Sequence, residues 1–168
     1  MHWAEKIADR IIKKNPDKEE YVCAAGISPS GSIHIGNFRD IATSLFVAKA
    51  IEKRGKKARL LFSWDEFDRF RKVPANVKAI DPDNKMEQYI GRPYTSVPNP
   101  FDTEHENYAK YFEDEFMKSI KKFGIEMDYR YQTDMYTSGA YRDDIIEAIQ
   151  KRKEIFDILD SFRTQDAQ

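Results

Sequence analysis

The chain carries a single cysteine, Cys23, among 168 residues, so it can form no internal disulfide, which fits a reducing compartment. Cys23 lies in a short apolar run and reads as a small buried side chain rather than a reactive thiol. Net charge is also scarce, formally -1. That excludes a global basic field for gathering nucleic acid, so any RNA contact must be local or carried by other sequence. No window approaches about 18 consecutive apolar residues, so no membrane span is expected. The opening Met-His-Trp-Ala-Glu-Lys brings charge at once and lacks the apolar core of a signal peptide, which makes the cytoplasm the default location. Three histidines and one cysteine are too scattered for a zinc site, and no metal site is expected. Neither an internal repeat nor a low-complexity tract occurs. What remains is 40% hydrophobic and 34% charged, the composition of a globular domain long enough for one real core.

The most informative stretch is 21–37, Y-V-C-A-A-G-I-S-P-S-G-S-I-H-I-G-N. Its apolar start, its run of turn residues from Gly26 to Gly36 and the helical pattern behind it read as strand, tight loop, helix. In an open α/β sheet such a loop faces the ligand crevice, and the helix that follows offers free N–H groups and a positive dipole end to phosphate. Gly26, Gly31 and Gly36 remove the Cβ where backbone must turn sharply or approach a flat ligand. His34, at the helix mouth, could donate an imidazole N–H to charge developing on a phosphoryl oxygen, and Asn37 could add a second donor. The plainer alternative is an ordinary strand-to-helix turn in which His34 caps the helix.

Along the chain, Trp3, Ala4, Ile7, Ala8, Ile11 and Ile12 predict an amphipathic helix over 3–14, with Trp3 covering the core. A helix over 35–54 turns Phe38, Ile41, Ala42, Leu45, Ala48 and Ile51 inward, and Gly55 ends it. Lys49, Lys53, Arg54, Lys56 and Lys57 crowd its far end as cations complementing the helix dipole. Residues 58–64 read as a second strand. The cluster behind it, Asp65, Glu66, Asp68, Arg69, Arg71 and Lys72, is either a place where an ammonium group is read or a solvated, salt-bridged loop. Residues 75–100 read as a long, mostly irregular excursion. Thr103 and Glu106 form a capping box for a helix whose apolar face is Ala109, Phe112, Phe116, Ile120 and Phe123, with His105 exposed in its first turn. A third strand spans 126–132. From Ser138-Gly139 a long helix puts Tyr141, Ile145, Ile149, Arg152, Phe156, Leu159 and Phe162 on one stripe, and a polar tail, 163–168, frays.

Taken whole, G-I-S-P-S-G-S-I-H-I-G-N-F-R-D (26–40) resembles the HIGH signature of class I aminoacyl-tRNA synthetases, with Asn37 where the last histidine usually stands. S-W-D-E-F-D-R-F-R-K-V-P (63–74) resembles the block after the second strand in class I lysyl-tRNA synthetases, and the likeness continues through Y-I-G-R-P-Y, F-G-I-E, Y-Q-T-D-M-Y-T-S-G-A-Y and R-K-E-I-F-D-I-L. The resemblance implies an α/β, Rossmann-like nucleotide-binding fold, present as its first half with parallel strands and flanking helices. It implies ATP as substrate, magnesium travelling with it, and lysine and tRNA(Lys) as partners. Pro29, Ser30, Gly31, Ser32, Ile33, His34, Ile35, Gly36 and Asn37 would form the ATP-binding region. In it His34 and Asn37 would stabilise phosphate charge and Gly36 would let adenine pack closely. The family's remaining half, its K-M-S-K-S signature and its anticodon-binding domain are not found here, since Lys85-Met86 lacks the continuation and comes too early. The chain therefore reads as an N-terminal fragment or a short relative.

A lysine pocket needs buried acceptors for two ammonium groups. Asp40, one helical turn after Gly36, and Asp65, at the end of the second strand, are the leading acids, with Asp68 in reserve, while Gly26 and Ser28 offer a carbonyl and a hydroxyl. Ser28 stands where many relatives carry Thr, and Asp40 where many carry Glu. Two other readings are a small H-x-G-H nucleotidylyltransferase, for which the C-terminal phosphate motif is missing, and a non-catalytic, synthetase-derived binding module.

Overall fold

The computed structural model describes residues 1–163. The polar tail falls almost wholly on 164–168, outside the described residues. Two compact units are present: one is Met1–Thr133 and the other begins at Asp134.

The first unit is built on a three-stranded parallel sheet in the order β1 (Glu20–Ile27), β2 (Lys57–Trp64), β3 (Asp128–Tyr131). All three strands run the same way, so Ile27, Trp64 and Tyr131 end at one edge, where the loops that follow β1 and β2 gather. The central strand supplies the core: Leu60, Phe62 and Trp64 alternate inward and are buried. The Phe62 ring stacks on Phe116 at 5.2 Å and meets Trp64 edge-on at 4.9 Å, geometries that add to area burial.

Helix α1 (Trp3–Lys14) starts at His2, which exchanges hydrogen bonds with Ala4 and Glu5. It buries Ala4 and Ala8, small residues that allow close approach to α2 (Ile35–Glu52). Trp3 does not cover the core: it is 41% exposed and rests against His2 and Phe46, because the alanines take the closest contact. Helix α2 is covered on two sides, which is why Val47 and Ala50 are buried along with Ile41, Ala48 and Ile51. Its terminal cations do more than meet the dipole. Lys53 bonds Glu5 at 3.1 Å, Arg54 pairs with Asp9 and donates to the Glu5 carbonyl, and Lys56 donates to the Pro16 carbonyl. They clamp α1 to α2.

The 75–100 excursion is irregular, as its composition suggested, holding only α3 (Ala75–Lys78) and two short 3₁₀ turns. It is nonetheless well anchored: its Val77, Met86, Tyr94 and Val97 join Phe70 and Val73, which precede it, in burial against Tyr108, Ala109 and Phe112 of α4 (Tyr108–Lys122). Helix α4 begins four residues later than a cap at Thr103 suggested, capped by Asn107, whose side chain accepts from the Lys110 amide at 3.0 Å. Asp102 is the reason: it takes the Glu104 and His105 amides into a side-chain turn that competes with helix. His105 is half-buried rather than exposed, bridging Asp102 (2.9 Å) and Asp114 (3.2 Å), and those carboxylates raise its pKa. Phe123 leaves the core at the helix end, 67% exposed.

Strand β3 is shorter than the expected 126–132: it starts at Asp128, and it stops at Tyr131 because Gln132 already opens α5 (Gln132–Thr137). The buried Glu66 carboxylate accepts the Gln132 and Thr133 amides at 3.1 and 2.8 Å, capping that turn from 66 residues away. In the second unit the long helix is two, α6 (Arg142–Gln150) and α7 (Arg152–Ser161), separated at Lys151. Ile145, Ile149, Phe156, Leu159 and Phe162 of the predicted stripe are all exposed.

Candidate active site

Residues 28–34 leave β1 and enter α2 at the carboxyl edge of the sheet. His34 is the N-cap of α2: its Nδ1 accepts the Gly36 amide at 3.1 Å, and its own amide donates to Asn37 Oδ1 at 3.3 Å. The capping role read from the sequence is therefore present, and it does not use up the ring. Acceptance at Nδ1 puts the proton of the neutral imidazole on Nε2, which remains a donor at the positive end of an 18-residue helix. Asn37, accepting through Oδ1, keeps its amide hydrogens to donate. Gly36 has a local reason as well: a Cβ there would lie 2.9 Å from the His34 ring. Gly26, paired with Ser63 in the sheet, would place a Cβ 3.0 Å from the Ser63 carbonyl. Gly31 differs, since a Cβ would meet nothing within 4 Å and its φ is not positive, so its backbone alone does not require glycine.

Gly26, Ser28, Ser30, Gly36, Asn37, Asp40 and Asp65 converge on one cleft of about 510 Å³, joined by Arg39. Of the remaining loop residues, Pro29 is buried, Ile33 packs on the core, and His34, Ile35 and Ser32 are exposed. Asp68 does not line this cleft. It sits in a neighbouring hollow and accepts the Ser28 hydroxyl hydrogen at 2.8 Å. The Ser28 oxygen therefore keeps lone pairs for an ammonium donor.

Asp65 is half-buried. Desolvation, then the Asp68 and Glu66 carboxylates, push its pKa up against the opposing Ser63 hydroxyl. A group held this way favours a cationic neighbour. Its position is built in: the Asp65 amide donates to the Ile27 carbonyl at 3.0 Å, and Ser63, 3.4 Å from Asp65 Oδ1, is itself held by Gln132 at 2.6 Å. The mixed cluster of the sequence thus resolves into different jobs, with Asp65 facing the cleft, Glu66 capping α5 and Asp68 bonded to Ser28.

Two contributors escaped the sequence reading. Arg39 left as its only signal its place beside Asp40. Tyr108, fully buried, donates to the Ser30 carbonyl at 3.0 Å and fixes the loop from α4; burial raises its pKa, and 78 residues of separation hide the contact. A further hollow of about 300 Å³ lies at the opposite edge, around Leu45, Arg59 and Met127, and holds none of the expected site residues. Among the described residues no cluster of three His, Cys, Asp or Glu could hold a metal, and no helix is long and apolar enough to cross a membrane.

The family described as "tRNA synthetases class I (K)" matches residues 1–168. The lysine–tRNA ligase of Pyrococcus horikoshii is 41% identical over 163 residues, 97% of this chain and 30% of that protein. Those of Treponema pallidum (42% over 165 residues, 98% and 30%) and Streptomyces coelicolor (42% over 169 residues, 98% and 29%) are similar. The chain spans about 30% of the length of these curated relatives.

Proposed function

The chain belongs to the class I tRNA synthetase family, and on that premise we propose that it forms the first half of the catalytic domain of a lysine–tRNA ligase. What supports this reading is the convergence of Gly26, Ser28, Asn37, Asp40 and Asp65 on one cleft at the start of α2, in a chain whose relatives carry that name over its whole length. The whole-chain match favours it over a nucleotidylyltransferase.

In the first step a lysine carboxylate oxygen attacks the α-phosphorus of ATP, pyrophosphate leaves, and lysyl-adenylate forms. In the second, a hydroxyl of the terminal tRNA ribose attacks the lysyl carbonyl and AMP leaves. His34 Nε2–H, the Asn37 amide and the N–H groups opening α2 face charge that grows on the phosphates. Asp40 and Asp65 take the ammonium groups, with the Gly26 carbonyl and the Ser28 oxygen as further acceptors. The rate then comes from positioning and electrostatics rather than from covalent chemistry. Magnesium would travel with ATP, held by phosphate and water.

No K-M-S-K-S signature occurs in the 168 residues, so phosphate donors are missing, and each such donor is worth about 10²-fold or more. The chain alone is expected to run no lysine-dependent ATP–pyrophosphate exchange above background, and a protein joining it to the rest of the catalytic fold is expected to run it with lysine. Robust exchange by the chain alone would overturn the division into halves. Its absence in the longer protein would overturn the function.

A further inference from the structure

Sharing Ser28 and Ser30 with the catalytic cleft is a second hollow of about 400 Å³, lined also by Arg69, Arg71, Lys72 and Tyr94. Its base is rigid. The Phe70 amide donates to the Arg92 carbonyl at 2.8 Å, the Gly91 amide to the Phe70 carbonyl at 2.8 Å, and the Tyr94 amide to the Asp68 carbonyl at 3.1 Å. Phe70 and Val73 are buried beneath, which turns Arg69, Arg71 and Lys72 outward, all three exposed. Among the described residues none of the three takes part in an ion pair. The one acid of the hollow, Asp68, is held by Ser28.

The sign of the charge thus reverses across the wall of Ser28 and Ser30. On one side the two carboxylates of Asp40 and Asp65 outnumber the one cation, Arg39, and leave a cleft suited to a cationic substrate. On the other, three cations meet one carboxylate in a chain whose formal charge is -1. Guanidinium and ammonium groups on a fixed base suit phosphodiester oxygens, which position a nucleic acid without reading its bases. Tyr94 is buried, only 6% exposed, so the hollow offers no open ring for base stacking. We propose that Arg69, Arg71 and Lys72 hold the phosphate backbone of a single-stranded RNA 3′ end that enters the catalytic cleft past Ser28 and Ser30. This rests on the lysine–tRNA ligase reading and adds the path of its second substrate.

The test is a fluorescence-anisotropy titration of the 168-residue chain with short labelled single-stranded RNAs of differing sequence over a range of salt. Arg71→Ala/Lys72→Ala is compared with the unsubstituted chain and with Lys121→Ala/Lys122→Ala, exposed cations on α4; circular dichroism confirms that each is folded. Binding is expected to be salt-sensitive and nearly sequence-independent. In Arg71→Ala/Lys72→Ala it should weaken, with a log–log salt slope shallower by about 1.4 for two lost single-strand phosphate contacts, while the α4 pair leaves it unchanged. An unchanged affinity, equal loss in the α4 pair, or no salt-sensitive binding by the unsubstituted chain overturns the proposal. So does displacement of the RNA by ATP or pyrophosphate whose own binding needs Arg71 and Lys72, since the cations would then serve ATP. The two readings fail separately. If the longer protein runs lysine-dependent exchange yet the double variant keeps the parental KM for tRNA, only the RNA contact is wrong; without exchange, the enzyme reading falls whatever the RNA titration gives.

Discussion

Norleucine, which keeps lysine's four-carbon side chain but lacks the terminal ammonium, is expected to be used about 10⁴-fold less well in adenylate formation, because the acid that should meet the ammonium is left half-buried and unpaired. Asp65 is the strongest candidate for that acid. It stands at the end of the central strand, on the cleft, and its carboxylate is disfavoured by desolvation and by the Asp68 and Glu66 charges. Asp65→Asn, and separately Asp40→Asn, should each lower kcat/KM for lysine while leaving the KM for ATP nearly unchanged. The pH dependence has a definite sign. Lysine use should fall as pH drops through the raised pKa of Asp65. The same shift works against the empty protein: the folded pKa lies above the unfolded value of about 3.9, so this group contributes stability below that value and loses it as pH rises through the folded pKa. Asp65→Asn should therefore hold or raise Tm at neutral pH while it cuts lysine use. Unchanged kcat/KM for lysine in both variants would move the pocket to other residues.

The second large effect is expected at His34. In the protein that completes the site, His34→Ala should lower kcat for adenylate formation by about 10²- to 10³-fold, with a much smaller change in the KM for lysine, if Nε2–H meets charge that develops only in the transition state. The cap is a separate matter. Losing the Nδ1 acceptor for the Gly36 amide should cost about 1 kcal/mol of stability. His34→Asn, which keeps a capping oxygen, should restore most of the stability but not kcat. Full recovery of kcat by asparagine, or no loss in alanine, would leave His34 as a helix cap alone.

The sheet, the loop and α2 were legible because strand alternation, turn residues and a helical stripe follow one another without interruption between residues 21 and 54. The second hydrophobic cluster was not. Phe70, Val73, Val77, Met86, Tyr94 and Val97 follow neither a helical nor a strand period, so only their shared burial against α4 reveals them. The start of α4 was misplaced because Thr103 and Glu106 imitate a capping box while Asp102 already holds the next amides. At the site, local signals fared better than long-range ones. Residues 26–40 announced the cleft, but the split of Asp65, Glu66 and Asp68 into three roles depends on Ser28, Gln132 and Thr133, partners tens of residues away. The stripe over α6 and α7 shows the reverse limit, a clean period whose members are exposed, since periodicity reports a face and not what covers it.

The most direct test of the account is to titrate the 168-residue chain with a non-hydrolysable lysyl-adenylate analogue and follow its backbone amides by NMR. A lysyl-adenylate site in the cleft at the start of α2 predicts the largest shifts at Gly26, Ser28, Gly36, Asn37 and Asp65, with weaker binding of the norleucyl analogue. No binding, equal binding of the two analogues, or shifts confined to the far hollow around Arg59 and Met127 would contradict it.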